Sequence, residues 1–377
     1  MIFLLWALFA LPLGLHLLSA GLSAARYLPR RRAPAPAPEA LPFISLIRPV
    51  CGLDPFDAET LGSSFGLDYP DYEVIFCVAD PADPVVPLVR ALIAAHPGQR
   101  AQLLTGETPI SANPKLNNLQ KAIPAARGAY LAMTDSNLLL PRDYLRALMA
   151  AWGPATGLVS GPPVGVRAEN FWGAVECAFL NGNQARWQLA ADAVGLGFAQ
   201  GKTLFWRRDI LAAGGGLAGL GRNMAEDVAA TKMVREQGLR VRLPRQLFAQ
   251  PIGARAARAV WDRQLRWSKV RRDGFVGLFA AEILQGPWLA AAALIGLVAA
   301  GAAPGAALVA LPVAWYGAEL GLARLAGWPA GPRDLAAAMV RDLWLPALWA
   351  VTWRTRDFTW RGTAMTHAGA LAEAPRG

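Results

Sequence analysis

Long apolar runs lie towards both ends of this 377-residue chain, and between them short apolar runs alternate with helical patterns. The short runs between residues 41 and 247 predict β-strands, and the patterns between them predict helices. Such alternation predicts an α/β fold, with a mostly parallel sheet covered by helices on both faces. The predicted strands are 44–50, 72–79, 101–105, 129–134 and 158–160, and the predicted helices include 84–95, 114–125 and 141–152.

The apolar run at the start of the chain predicts a membrane anchor over residues 1–25. Its length is close to the roughly 20 residues with which a helix crosses a bilayer. The alternative is a cleaved signal peptide, but Arg26 and Arg30 to Arg32 follow the apolar run and do not precede it. We therefore expect the N-terminus outside and the following domain in the cytoplasm.

The apolar runs of the second half predict further membrane segments. Residues 286–325 predict a helical hairpin, whose uncharged turn Ala-Ala-Pro-Gly would face the periplasm. Residues 335–377 hold an apolar stretch with Arg341 and Asp342, then a basic tail. For them we expect an interfacial or re-entrant segment, and a further span with a buried Arg–Asp pair is the alternative. We expect a multi-pass protein of a bacterial inner membrane.

Composition agrees with a folded domain that carries membrane segments. The chain is 54% hydrophobic and only 17% charged, with a mean hydropathy of +0.28. The net charge of +10 is concentrated in residues 30–32 and 255–272, beside apolar segments, which favours anionic lipid headgroups over nucleic acid. We expect a Pro/Arg linker at 26–42, a catalytic domain at 43–254 and a basic amphipathic helix at 255–275.

Few residues are available for metal–thiolate or histidine chemistry. Three cysteines at unrelated spacings predict no disulfide framework and no zinc site. Three histidines, scattered along the chain, argue against a Ser-His-Asp triad. Carboxylates are therefore the better candidates for the chemistry.

Two aspartates follow predicted strands, at the point where parallel sheets bind ligands. Asp80 ends one apolar run, where it could meet a base or ribose, although Asp before Pro is also a common turn and helix cap. Asp135 ends another run and is followed by Ser136 and Asn137. Such oxygen ligands suit magnesium or manganese.

Two predicted helix starts carry further candidates. Asn113 and Pro114 precede Lys115 and Asn117, and a helix start of this kind attracts phosphate, although an ordinary capped helix has the same pattern. Glu226 and Asp227 open a second helix, where acidic residues often serve only the helix dipole. We interpret Glu226 in that way, and we expect Asp227 to be the general base that takes a proton from an acceptor hydroxyl.

A basic motif follows the predicted domain. Arg263, Arg266 and Trp267 are three and four residues apart, so a helix over 257–272 presents them on one face. That face could clamp a diphosphate, and the competing interpretation is a helix that lies on the membrane surface.

Together the motifs resemble those of membrane glycosyltransferases of the ceramide glucosyltransferase type, a branch of the inverting GT-A group. The resemblance covers nearly the whole chain, and Asn-Pro-Lys-x-Asn-Asn-Leu is its most branch-specific motif. It rests on residues 67–80, 113–119, 134–136, 225–227 and 263–267.

The resemblance implies a role for each candidate. Asp80 meets the uridine, Asp135 holds a divalent metal (Mg or Mn) on the diphosphate, and Asp227 is the general base. A lipid hydroxyl attacks the anomeric carbon of the UDP-sugar directly, with inversion. The diphosphate and acceptor are lined by Arg263, Arg266 and Trp267.

Two departures from the family pattern concern the metal and the acceptor. Asn137 stands where related enzymes often have a second carboxylate, and there is no histidine near Gln184, where animal ceramide enzymes have one. We expect ceramide or a ceramide-like sphingolipid as the acceptor, with a hopanoid lipid as the alternative. A processive polysaccharide synthase and a non-catalytic lipid-binding scaffold are the more distant alternatives.

Overall fold

The computed structural model describes residues 1–28, 41–354, 358–360 and 363–365. Most of the predicted linker and of the basic tail lies outside these residues. The described residues form two compact units. The first, called the helical unit below, contains residues 1–28, 164–193 and 252–354, and the second, called the sheet unit, contains residues 41–163, 194–251, 358–360 and 363–365.

Strands and helices alternate through the sheet unit. The strands of the chain are β1 (Ile44–Val50), β2 (Tyr72–Val78), β3 (Ala101–Thr105), β4 (Tyr130–Thr134), β5 (Thr156–Ser160), β6 (Pro163–Ala168), β7 (Thr203–Arg207), β8 (Arg240–Arg242), β9 (Phe248–Gly253), β10 (Phe358–Trp360) and β11 (Thr363–Met365).

The helices of the described residues vary in length from the four residues of α5 to the 24 residues of α1. They are α1 (Ile2–Ala25), α2 (Asp57–Gly62), α3 (Val86–Ala95), α4 (Pro114–Leu119), α5 (Ala122–Ala125), α6 (Tyr144–Ala150), α7 (Phe171–Ala178), α8 (Arg186–Ala193), α9 (Arg208–Ala213), α10 (Gly216–Leu220), α11 (Glu226–Glu236), α12 (Ala257–Gly274), α13 (Val276–Ala281), α14 (Trp288–Ala299), α15 (Ala307–Ala326) and α16 (Pro332–Thr352), with 3-10 turns at Ser63–Phe65 and Glu282–Gln285 and a π-helical stretch at Phe179–Ala185.

The central sheet has the strand order β3-β2-β1-β4-β7-β5-β8. β1, β2, β3 and β4 are parallel, whereas β7 is antiparallel to both β4 and β5. The predicted mostly parallel α/β fold is therefore confirmed, but the predicted strands lack β7, which lies between β4 and β5, and β8 at one edge. The single helix predicted over 114–125 is also wrong, because α4 and α5 are separate helices.

Helices cover both faces of this sheet. Along β2, Val74 and Phe76 join one apolar cluster while Ile75 and Cys77 join another. Alternate residues of a strand point to opposite faces, so each face of β2 is packed against its own core. This burial explains why the strands are apolar without interruption.

The helical unit contains helices of the length and composition of membrane spans. Three qualify individually, namely α1, α15 and α16. The segment Val276–Gln285 together with α14 would make a fourth span, bent by 49°. These helices indicate a membrane protein, and within the unit α1 packs against α14 and α15.

A buried ionic group joins two of these helices. Arg341 of α16 donates to both carboxylate oxygens of Glu319 on α15, over 3.0 and 2.9 Å. The same guanidinium lies 2.8 Å from Asp342, whose side chain is buried with it. α16 thus carries its charges as a compensated group, the arrangement that a spanning helix needs and that we gave as the alternative to an interfacial segment.

Candidate active site

The site begins where β4 and β7 meet at one edge of the sheet. Because these strands are antiparallel and Thr134 pairs with Thr203, the residue after β4 lies beside the residue before β7. The backbone N–H of Asp135 donates to the carbonyl of Lys202 over 3.0 Å. The side chains meet as well, with Lys202 Nζ 3.1 Å from Asp135 Oδ2.

The start of α4 brings a second lysine to the same carboxylate. Asn113 caps the helix, and its Oδ1 accepts from the backbone N–H of Lys115 over 3.0 Å. Lys115 Nζ then lies 2.7 Å from Asp135 Oδ1 and 2.7 Å from Glu226 Oε1. Asn113 Nδ2 donates to the other oxygen of Glu226 over 3.0 Å. The two lysines and two carboxylates therefore form one ionic network.

The charges of this network stabilise one another. Burial alone would raise the pKa of Asp135, but Lys115 and Lys202 outweigh it and lower the pKa to about 2. Burial would likewise lower the pKa of Lys115, but Asp135 and Glu226 outweigh it and raise that pKa. Asp135 and Lys115 are therefore both charged at neutral pH.

Asp227 lies in the first turn of α11, next to Glu226. Its Oδ2 accepts from the backbone N–H of Gly201 over 3.0 Å, and its Oδ1 accepts from Val228 N–H over 2.8 Å. Burial, and after it the negative charge of Glu226, raises the pKa of Asp227 to about 6. A carboxylate of this kind is ionised at neutral pH and yet is a stronger base than an ordinary aspartate.

Gly201 connects Asp227 to the network. Its N–H contacts Asp227, and its carbonyl accepts from Lys115 Nζ over 2.7 Å. A Cβ at this position would lie 2.6 Å from Glu226 Oε1. Any larger residue here would therefore displace the Glu226 carboxylate from its contacts with Lys115 and Asn113.

Two of the predicted nucleotide-binding residues have local partners. Asp80 follows β2 at the same edge of the sheet, and its Oδ1 accepts from Ala82 N–H over 2.8 Å, as in a turn. Since β1 separates β2 from β4, strand spacing places the ends of these strands about 10 Å apart. Asn117 Oδ1 accepts from the N–H groups of Ile110 and Ser111. It therefore holds the loop before α4.

Three charged residues in or beside the ionic network were not predicted to contribute to the site. Lys202 and Glu226 join it through partners far away in the sequence, and only the Gly-Lys pair before an apolar run signals the first of them. Arg48 is a single cation within the apolar strand β1 and is fully buried. It donates to the carbonyls of Ser136 and Leu138 over 2.9 and 3.2 Å, which fixes the loop after Asp135.

In the helical unit, α12 presents the predicted basic motif. The guanidinium of Arg263 lies 5.9 Å from the ring centroid of Trp267, so these two side chains share a face. Arg266 is the residue before Trp267 on the same helix. Arg263 also pairs with Glu176 of α7, a carboxylate that is 1% exposed. Arg255 Nε approaches the same carboxylate to 3.4 Å. Glu176 thus orients the first arginine of the motif, which the sequence did not predict.

The oxygen atoms near Asp135 fit a divalent metal that arrives with phosphate. Among the described residues, no three His, Cys, Asp or Glu side chains are grouped as ligands. Asp135 offers a carboxylate, and Asn137 Oδ1, which accepts from Lys202 Nζ over 2.9 Å, offers an amide oxygen. Magnesium commonly binds through one or two carboxylates together with substrate phosphates, and this donor set is of that kind.

Comparison with known proteins identifies the family. The model of glycosyl transferase family 21 matches residues 6–369. The chain belongs to this family. It is 27% identical over 247 residues to ceramide glucosyltransferase 1 of Caenorhabditis elegans, covering 65% of this chain and 53% of that protein.

Other relatives agree with this assignment. Ceramide glucosyltransferase of Candida albicans is 37% identical over 115 residues, which is 27% of this chain and 21% of that protein. The chain spans about half the length of the first of these curated relatives, and about a fifth of the second.

A solved structure supports the GT-A fold. The mannosyltransferase PcManGT from Pyrobaculum calidifontis, in complex with GDP-Man and Mn2+, superposes with a TM-score of 0.54 at 25% identity. The match covers 91% of this chain and 99% of that one. The predicted resemblance and fold class are confirmed.

Proposed function

We propose that this protein is an inverting glycosyltransferase that moves a glucose-type sugar from a UDP-sugar to the hydroxyl of ceramide or a ceramide-like lipid. The observation that carries the proposal is the placement of Asp227. A buried base with a pKa of about 6 is held by Gly201, whose carbonyl binds the lysine beside Asp135. A base close to lysines that can receive the diphosphate is what transfer from a nucleotide-sugar requires.

The transfer is a single displacement. Asp227 accepts the proton of the lipid hydroxyl, whose oxygen forms a bond to the anomeric carbon while the bond from that carbon to the diphosphate oxygen breaks. The negative charge that develops on the diphosphate is stabilised by Lys115, and we assign the same role to Arg263 and Arg266. Attack from the side opposite the leaving group inverts the anomeric configuration.

The remaining site residues position the donor. Asp135, with Asn137, would hold a divalent metal on the diphosphate, where the metal neutralises part of its charge. We assign the uridine to Asp80, at the end of β2, and the packing of donor and acceptor to Trp267. Asn117 contributes by holding the loop before α4.

The family relationship and the helices support a membrane location. The named relatives are ceramide glucosyltransferases, and the helical unit has helices fit to cross a bilayer. We propose that the protein lies in a bacterial inner membrane with the catalytic domain on the cytoplasmic side. The lipid acceptor then reaches the site from the membrane itself.

The test is transfer by the purified full chain in lipid, with UDP-glucose and other UDP-sugars, with or without Mn²⁺. Ceramide, a hopanoid and extracted membrane lipids serve as acceptors, and mass spectrometry identifies the products. We expect a glycosylated ceramide with one added hexose. If only the hopanoid is glycosylated, the acceptor is a hopanoid and not ceramide. Polymeric products would indicate a processive polysaccharide synthase.

Two variants link the activity to the site. Asp227→Asn should lower kcat by about 10²–10⁴-fold, the usual contribution of a general base. Glu236→Gln removes the same charge from the exposed last residue of α11 and should leave transfer unchanged. If neither wild type nor Glu236→Gln transfers sugar to any of these lipids, a binding scaffold is the better description.

A further inference from the structure

Lys202 occupies a position that the family resemblance leaves unexplained. Its Nζ lies 3.1 Å from Asp135 Oδ2 and 2.9 Å from Asn137 Oδ1. Lys115 Nζ lies 2.7 Å from the other oxygen of Asp135. Both oxygens of the carboxylate expected to hold a metal are therefore already paired with ammonium groups.

The local charge balance opposes a metal that arrives alone. Two carboxylates, Asp135 and Glu226, face two lysines, so the network sums to no net charge. Asn137 adds an oxygen but no negative charge. A divalent cation that binds Asp135 would have to displace an ammonium group from it. Lys202 would then lose its carboxylate partner in a partly buried site, which is costly.

A nucleoside diphosphate removes this obstacle because it supplies anionic oxygens. Lysine is a common phosphate ligand and acts as a compact charge on a flexible stem. An ammonium group that leaves Asp135 can therefore pair with the diphosphate, and the vacated carboxylate oxygen can bind the metal. The side chains of Lys202 and Asp135 are about 12% and 25% exposed, so the exchange occurs at an accessible edge of the network.

We propose that Lys202 binds the diphosphate of the donor and, in its absence, pairs with Asp135, so that metal and nucleoside diphosphate bind jointly. The inference rests on the proposed function and adds a donor-binding residue to it. Lys202 exchanges partners: carboxylate in the free protein, phosphate in the complex. Each ligand then raises the affinity for the other by the same factor.

The test measures binding and does not depend on turnover. Mn²⁺ is titrated into the purified full chain, once without UDP and once with saturating UDP. Free Mn²⁺ is measured by electron paramagnetic resonance, and the Mn²⁺ bound by UDP in solution is determined in a titration without protein and subtracted. We expect UDP to increase the affinity for Mn²⁺ by a factor within the range of about 5- to 150-fold that is typical of coupled sites. In the reverse titration, Mn²⁺ should increase the affinity for UDP equally.

Variants separate Lys202 from a general charge effect. Lys202→Gln should bind Mn²⁺ alone about tenfold more tightly than wild type and bind UDP more weakly, so its coupling factor should be smaller than that of wild type. Lys202→Arg keeps the charge and should retain a coupling of about fivefold or more. Arg100→Gln removes a positive charge from an exposed pair with Asp71, before β3, and should behave as wild type.

Three outcomes would overturn the inference. If Mn²⁺ binds wild type equally tightly with and without UDP, the lysines do not oppose metal binding and the inference fails, whereas the proposed donor site is unaffected. If Lys202→Gln keeps both the coupling and the UDP affinity of wild type, Lys202 is not the diphosphate ligand. If folded wild type binds neither UDP nor UDP with Mn²⁺, the inference and the proposed function both fail.

Discussion

Gly201 donates its backbone N–H to Asp227 over 3.0 Å, and so holds the candidate base from a position 26 residues earlier in the chain, just before β7. The same peptide contacts Lys115 through its carbonyl. A single residue therefore contacts both the proposed base and the lysine to which we assign the diphosphate.

Gly201→Ala should disturb this arrangement. Its added Cβ would lie 2.6 Å from Glu226 Oε1, so either the carboxylate or the backbone must move. We expect a loss of about 1–3 kcal/mol of stability, as for other overpacked sites, measured by chemical denaturation, and a clear loss of transfer. Gly98→Ala is the matched control, since nothing lies within 4 Å of its added Cβ, and it should have no effect. Wild-type transfer by Gly201→Ala would contradict the proposed geometry.

The pH dependence of transfer should report Asp227. Its raised pKa of about 6 means that the carboxylate is protonated, and lost as a base, below that pH. We expect kcat/KM to be level at neutral pH and to fall about tenfold per pH unit well below pH 6.

Glu226→Gln should move this pH profile in a known direction. Its negative charge is, after burial, the main reason for the raised pKa of Asp227, so removing it should lower the pKa and shift the acidic limb to lower pH. The measurement is kcat/KM against pH for both proteins. An unmoved limb, or one that moves to higher pH, would assign the titration to another group.

The contact between Glu176 and Arg263 can be tested by a double-mutant cycle. Removing Glu176 leaves two arginines of the helical unit without their carboxylate partner, so Glu176→Gln and Arg263→Gln should each raise the KM for the donor. Because both changes break the same interaction, the KM of the double variant should be close to that of the more affected single variant. The two effects should therefore be non-additive by about 0.5–3 kcal/mol.

Asp262→Asn provides the comparison for that cycle, because it breaks only an exposed pair with Arg258 on the same helix. It should leave the KM unchanged. Strict additivity of Glu176→Gln and Arg263→Gln would show that Glu176 does not act through Arg263.

Arg48→Met should destabilise the loop that follows Asp135. The guanidinium is fully buried and donates to two carbonyls of this loop, and an unsatisfied buried acceptor costs about 1–3 kcal/mol. Chemical denaturation should show a loss of at least that size, and transfer should fall with it. Arg146→Gln, which removes an exposed partner of Asp68, should change the stability by less than about 1 kcal/mol. Equal stabilities of the two variants would exclude the role given to Arg48.

Strand ends could be located from the sequence because they depend on local patterns. Asp80 and Asp135 were predicted at the carboxyl ends of their strands, and the structure places them there. Asp227 was predicted at the start of a helix, and α11 begins at the residue before it. These features follow from apolar runs and helix-start signals that lie within a few residues of the site.

The ionic network could not be predicted in this way. Glu226 looked like a dipole-compensating residue because its partner, Lys115, is more than a hundred residues away. Lys202 reaches Asp135 only because β7 runs antiparallel beside β4. The composition of a short strand does not predict whether it pairs parallel or antiparallel with its neighbour. The Asp80 carboxylate shows the reverse case: its local turn contact was foreseeable, whereas its ligand remains a proposal.

The pairing of Arg341 with Glu319 has a consequence for biosynthesis. In hydrocarbon, a helix that exposes a lone carboxylate is disfavoured, so α15 gains its full stability only once the guanidinium of α16 is beside it. The two helices should therefore enter the lipid together, and α16 should determine whether α15 is retained in the membrane.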